Sequence, residues 1–306
     1  MVVDALPTSS PRRQRALFAW QGFELSIPAE WNPVALSGSF SAGHALLAEL
    51  GEPRLGLRWK KGDARRETPD VLERIVRREA GGTSTQQVKH LPAYPGACTL
   101  KQAVVCLDER IPGRDVCAAW AADSGRLVQL VYHAPERDDV LVDEIVPALR
   151  ETVSLSWQRW AVLDLTCAVP AGFILESHDL RAGDLQLKWR GRRGRIAVRQ
   201  LSLADLVLQR TTLEQLVRNR QREHHLAYHS QQPLSQVRLL TEDDRELLGL
   251  SGLALRKRRF FWRSGLPPQR LTLAVHDPTR NRIVMIEADD ASLARDIART
   301  VGTGSN

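Results

Sequence analysis

The chain repeats itself, and a repeat limits the fold before any single element does. Near the start stands Trp20-Gln-Gly-Phe23-Glu-Leu-Ser-Ile27-Pro28-Ala29-Glu30-Trp31. In the middle stands Trp160-Ala-Val-Leu-Asp-Leu-Thr-Cys-Ala-Val169-Pro170-Ala171-Gly172-Phe173. Both are alternating runs that end in apolar-Pro-Ala-x-aromatic. At an offset of 141, Leu55 and Leu57 fall on Ile196 and Val198, and Leu72, Ile75 and Val76 fall on Leu213, Leu216 and Val217. At an offset of 156, Gly96, Lys101, Arg114, Ala118, Arg126 and Val128 meet Gly252, Lys257, Arg270, Ala274, Arg282 and Val284. The shared order of these pairings predicts two homologous domains, residues 17–156 and 157–302. Residues 1–16 are expected to be a disordered N-terminal segment, and 303–306 a tail.

Each copy tests the reading of the other. Residues 22–28 alternate and then meet Pro28, which predicts a strand that stops. Apolar runs at 44–50 and 54–60 flank Gly51-Glu-Pro, a hairpin signal; the second copy turns at Arg190-Gly-Arg-Arg-Gly-Arg195. A helix then starts with Thr68 as N-cap and Pro69 at its first position, and stops at Gly81-Gly82. In the second copy Thr211-x-x-Glu214 has the form of a capping box. Short strands follow near 97–107, 115–122 and 126–133, repeated near 253–263, 270–276 and 281–287. A closing helix carries Leu141, Ile145 and Leu149 in one copy and Leu293 and Ile297 in the other. The order β-β-β-α-β-β-β-α predicts an α+β fold: two tandem homologous domains, each an antiparallel β-sheet with two packed helices.

The opening strand with Ile27-Pro28-Ala-Glu-Trp31 and Val169-Pro170-Ala-Gly-Phe173, the helix after the first strands, the strand blocks starting at Gly96 and Gly252, and the closing helix together resemble the PsbP-like (DcrB-like) fold group. That resemblance implies binding to a protein partner and no catalysis. No binding residue of that group can be carried over onto this chain. Neither a transit peptide nor a lipid-anchoring N-terminal Cys is expected from residues 1–15, so the group's thylakoid and lipoprotein settings are not expected here.

The charge is uneven between the copies. Residues 1–156 hold 19 Lys+Arg and 20 Asp+Glu, whereas residues 157–306 hold 24 and 16. The second copy therefore carries the whole excess of the formal +7. The basic residues cluster at Lys188-Trp189-Arg190-Gly-Arg192-Arg193-Gly-Arg195, at Arg218, Arg220 and Arg222 on the predicted helix, and at Arg256-Lys-Arg258-Arg259. Guanidinium forks suit carboxylates and phosphates. Two partners fit: an acidic protein surface, including the first copy of a neighbouring chain in a homo-oligomer, and a nucleic acid or other polyanion. Phe260, Phe261 and Trp262 follow the last cluster as base-stacking candidates, but Val104, Val105 and Cys106 replace them in the first copy, which favours core strand residues. Arg outnumbers Lys 37 to 6 over the chain, so part of the arginine richness is compositional.

The chemistry-bearing signals are sparse. Glu223-His224-His225-x-x-x-His229 puts two imidazoles four residues apart, as some zinc ligands are. It has no His-Glu-x-x-His frame and no fixed third ligand, so a solvated helix end is the plainer reading. Cys98, Cys106 and Cys117 align with Ala254, Trp262 and Leu273, as small buried hydrophobes would. Gly191-x-x-Gly194 lacks the Lys-Ser/Thr of a phosphate loop and sits in a hairpin. No nucleophile elbow is present. No cofactor is expected, and no enzymatic activity.

Trp20, Trp31 and Trp160 have aromatic counterparts and read as core. Trp59, Trp120 and Trp189 do not, which suggests contact with a partner or between the copies. No apolar run reaches the length of a membrane span, and residues 1–15 lack a secretory leader's apolar stretch, so a cytoplasmic protein is expected. The expectation is a non-enzymatic interaction or assembly protein. It would bind a protein partner through the basic second copy at Arg190, Arg192, Arg193, Arg195, Arg218, Arg222, Arg256, Arg258 and Arg259, with Trp120 and Trp189. The alternative is a polyanion-binding protein using the same arginines.

Overall fold

The computed structural model describes residues 14–81, 87–91, 100–107, 115–133, 141–153, 156–223, 228–231, 233–241, 246–256 and 269–302. They form two compact units. Unit one is built from residues up to Phe18 and Phe23–Glu151; unit two from Ala19–Gly22 and Thr152–Gly304.

Unit one begins with β1 (Arg15–Trp20, whose last two residues belong to unit two), so Arg15 and Ala16 are already strand. It continues with β2 (Phe23–Pro28), β3 (Asn32–Gly38), β4 (Ala42–Glu49) and β5 (Glu52–Lys61). A 3-10 turn at Ala64–Arg66 leads into α1 (Pro69–Glu79), and β6 (Gln87–Leu91), β7 (Leu100–Leu107), β8 (Asp115–Ala121) and β9 (Arg126–Tyr132) follow. The unit ends in a π turn (Leu141–Ile145), a single helical turn α2 (Val146–Ala148) and β10 (Arg150–Glu151). Thr68 and Pro69 start α1 where the sequence predicts. Its stripe, Leu72 and Val76, packs on Val104 and Cys106 of β7, Val116, Ala118 and Trp120 of β8, and Leu127 and Val131 of β9.

Unit two holds β11 (Trp157–Val162), β12 (Leu165–Pro170), β13 (Ile174–Arg181), β14 (Asp184–Gly191) and β15 (Gly194–Ser202). Then come α3 (Ala204–Arg210), α4 (Leu213–Glu223), β16 (Tyr228–Gln231), β17 (Ser235–Leu240), β18 (Glu246–Arg256), β19 (Gln269–Asp277), β20 (Arg282–Ala288) and α5 (Ala291–Thr300). The capping box that starts α4 lies one residue beyond Thr211-x-x-Glu214. Thr212 Oγ1 accepts from the Gln215 N–H at 3.1 Å, and Gln215 Oε1 accepts from the Thr212 N–H at 2.9 Å. Glu214 is released to pair with Arg218 at 2.8 Å.

The expected sheet with two packed helices per domain is overturned. The described residues are mostly antiparallel strand, with few helices. Edge strands β3 and β13 have no fully buried position, so they lack the buried-exposed alternation by which strands are recognised. The closing helix of unit one is cut to one turn at Pro147, which has no N–H to donate and crowds the carbonyl four residues back. In unit two the corresponding α5 runs for ten residues.

The two large sheets share one strand order. In unit one it is β3-β4-β5-β9-β8-β7-β6, and in unit two β13-β14-β15-β20-β19-β18-β16, with β17 also on β18. The registers correspond as well. Leu55 faces Tyr132 and Ile196 faces Ala288; Trp59 faces Val128 and Gln200 faces Val284; Lys61 faces Arg126 and Ser202 faces Arg282. Each of these pairs obeys the 141 offset on one strand and the 156 offset on the other. Outside these sheets, β10 pairs with β2 in unit one and β11 with β12 in unit two.

Candidate anion-binding face

Two of the three arginine clusters fall on one side of the unit-two sheet. Residues directly opposite each other in an antiparallel pair point to the same side. In the β14–β15 hairpin Arg190 faces Arg195, Lys188 faces Ala197 and Gln186 faces Arg199. Ala197 in turn faces Glu287 of β20. Arg220 of α4 reaches down to Glu287 at 2.8 Å, which puts α4 on this same side. Trp189, Ile196 and Val198 alternate with the basic residues and are buried on the other side.

The hairpin turn presents Arg192 and Arg193 between two glycines. Gly194 has φ +121°, a backbone that side-chain-bearing residues avoid, and a Cβ there would lie 2.7 Å from Asp289 Cβ. Like charges opposite each other destabilise a sheet. Here Glu176 of β13 offsets the Arg190–Arg195 pair, hydrogen-bonding Arg190 and lying 3.6 Å from Arg195.

The remaining arginines are held in the same way. Arg199 forks onto Asp184 at 2.7 and 2.6 Å. These hydrogen bonds, with the charges of Arg199, Arg181 and Arg220, hold the Asp184 carboxyl below its ordinary value despite partial burial. Arg193 pairs with Asp290 at 2.8 Å. Asp290 caps α5 by accepting from the Ser292 and Leu293 N–H groups. The hydrogen bonds from Ser292, Leu293 and Arg193 keep its carboxyl below the ordinary value. Arg270 bonds both Glu287, at 2.9 Å, and Asp289, at 3.0 Å. Glu287 is 1% exposed, so its two arginines offset a buried charge. Lys188 and Arg192 are exposed and have no ion-pair partner among the described residues.

The other expected positions divide plainly. Arg218 is on the surface of α4, and Arg222 is exposed in its last turn. Arg256 ends β18, and its side chain lies outside the described residues, as do Arg258, Arg259, Phe260, Phe261 and Trp262. Trp59, Trp120 and Trp189 are 3%, 3% and 0% exposed. Trp120 belongs to the core under α1, and Trp189 packs edge-on against Trp160 with centroids 5.5 Å apart. Their burial corrects the expectation that they face a partner. His224, His225, Cys98 and the side chain of His229 lie outside the described residues, among which no group of three or more metal-ligating side chains occurs. Cys106, Cys117 and Cys167 are buried free thiols. No helix of the described residues is long and apolar enough to cross a membrane.

Sequence reasoning found the arginines but missed the carboxylates that organise them. Glu176, Asp184 and Glu287 are scattered along the chain and meet their arginines only on folding, and Asp289 lies between β20 and α5. No known protein family matches the chain, and no curated protein resembles it.

Proposed function

We propose that the chain is a non-enzymatic interaction protein, and that unit two binds an acidic protein surface through the side of its sheet bearing Lys188, Arg190, Arg195, Arg199 and Arg220. The observation that carries this reading is the interleaving of charge. Most of these cations already hold a carboxylate on the same face. A face patterned in both signs fits another protein's patterned surface and rejects mismatched ones by like-charge contact. A polyanion would meet the fixed carboxylates Glu176, Asp184 and Asp290 as repulsion.

The second reading, polyanion binding, rests on Lys188 and Arg192, which are exposed and have no ion-pair partner among the described residues. The two readings separate on salt. A polyanion complex loses affinity in proportion to the number of phosphates neutralised, whereas a mixed-charge interface responds weakly. Elution of the purified protein from heparin and from an immobilised nucleic acid across a salt series tests this. Early elution, unchanged in Lys188→Glu/Arg192→Glu, is the expected result. Late elution that collapses in this variant would overturn the protein-partner reading.

A further inference from the structure

We propose that two copies of the chain pair through β3, the outer strand of the unit-one sheet, in an antiparallel contact about a twofold axis. β3 and β13 hold the same first place in the two duplicated strand orders. Among the described residues each pairs with one strand only, β3 with β4 and β13 with β14. The outer row of N–H and C=O groups on such an edge is a template for another strand unless something guards it.

The two edges are guarded differently. β13 carries Glu176, Asp179 and Arg181, and a bulge lies between Leu175 and Ser177. Pairing β13 along its full length with its own copy would set Glu176 opposite Asp179, and like charges in that position destabilise a sheet. β6, at the other edge of the unit-one sheet, carries Lys89 and His90. β3, by contrast, has no charged residue: it reads Asn32-Pro33-Val34-Ala35-Leu36-Ser37-Gly38. Pro33 and the bulge between Pro33 and Ala35 guard its start. The stretch from Val34 to Gly38 has no such guard, and Val34 is 56% exposed.

This stretch is its own complement. With Leu36 on the axis, Leu36 faces Leu36 of the second copy, Ala35 faces Ser37, and Val34 faces Gly38. No like charges meet, and the exposed valine falls opposite a residue without a side chain. Leu36 also faces Ala45 of β4, which is 1% exposed, so it lies on the core side of the sheet. The pairing carries that apolar side on from one seven-stranded sheet to the next. A charged extended peptide would find no opposite charge on β3, whereas a second β3 needs none. A twofold contact of this kind is isologous and closes on itself. It uses only unit one and leaves the basic face of unit two free, so its failure would not touch the reading of that face.

Sedimentation velocity of the full chain over a concentration series tests the contact. The mass should rise from one chain to two, with Kd on the order of 10 μM for one short strand pair. Val34→Lys/Ser37→Lys, which charges two exposed positions of β3, should weaken the dimer at least tenfold. Ser177→Lys, on the β13 edge, should leave it unchanged. Under mild oxidation Leu36→Cys should cross-link two chains, because a residue on the axis meets itself at a separation that a disulfide spans. Val34→Cys should not, since it faces Gly38. Circular dichroism establishes that each variant is folded, and the Leu36→Cys result decides the question if the double lysine variant is not. A monomer at every concentration, a dimer unchanged in a folded Val34→Lys/Ser37→Lys, or cross-linking no stronger at position 36 than at 34 would each overturn the proposal.

Discussion

Glu151→Gln should destabilise unit one far more than an average substitution. The Glu151 and Arg126 side chains are 0% and 2% exposed and meet at 3.0 Å. Glu151 Oε2 also accepts from the Asp123 and Ser124 N–H groups, at 3.0 and 3.1 Å. Gln keeps an acceptor oxygen for those amides but removes the charge and turns the oxygen facing Arg126 into an N–H donor. Arg126 is then a buried cation without its carboxylate, a state that costs about 3–5 kcal/mol. Its two aromatic contacts, at 3.9 and 4.2 Å from the guanidinium carbon, offset about 1–2 kcal/mol of that at most. Arg126→Met in the Glu151→Gln background removes the orphan charge and places a thioether between the rings, so the double variant should recover most of the loss. Urea denaturation read by hydrogen exchange in β8 and β9 isolates unit one, because two units need not unfold together. A single variant within about 0.5 kcal/mol of wild type, or a double variant no more stable than the single, would refute the reasoning.

Three further outcomes follow from the same contacts. Thr212→Ala should cost about 1 kcal/mol and Thr211→Ala less, since Thr212 holds the cap of α4; urea midpoints of the two variants decide the frame. The depressed Asp184 carboxyl contributes stability that is present above its unfolded value, near 3.8, and is lost as pH falls through the lower folded value. Asp184→Asn should reduce this acid-side loss, measured as the difference in urea midpoint between about pH 6 and about pH 3. Burial pushes the Cys167 thiol up to about 12, so at about pH 8 a thiol reagent should label its peptide only after unfolding. Rapid labelling of native protein would contradict its burial.

The parts of the fold that the sequence discloses are those where both copies carry one physical signal. Thr68-Pro69 starts α1 because proline fits a helix's first turn. The 141 and 156 offsets foretell the register of β5 on β9 and of β15 on β20, because duplicated strands keep the side chains that face each other. What the sequence hides is decided by register and burial. Thr211 and Thr212 offer two capping frames, and only the backbone chooses between them. Trp120 and Trp189 lack aromatic counterparts, but an unmatched aromatic says nothing about exposure: Trp189 is held by Trp160 within unit two. Pro147 shortens a helix whose apolar spacing, Leu141, Ile145 and Leu149, is that of a longer one. The candidate face was legible as arginines and illegible as a pattern, because its carboxylates come from β13, β14, β20 and the start of α5.

The most direct test of the central claim is affinity capture from native lysate with wild-type protein, Lys188→Glu/Arg192→Glu, and a control reversal in unit one, Lys60→Glu. Samples are nuclease-treated, and captured proteins and nucleic acid are quantified together. The account predicts discrete acidic protein partners that survive nuclease, persist with Lys60→Glu and are lost with the unit-two variant. Partners retained equally by that variant, or capture that disappears with nuclease, would contradict it.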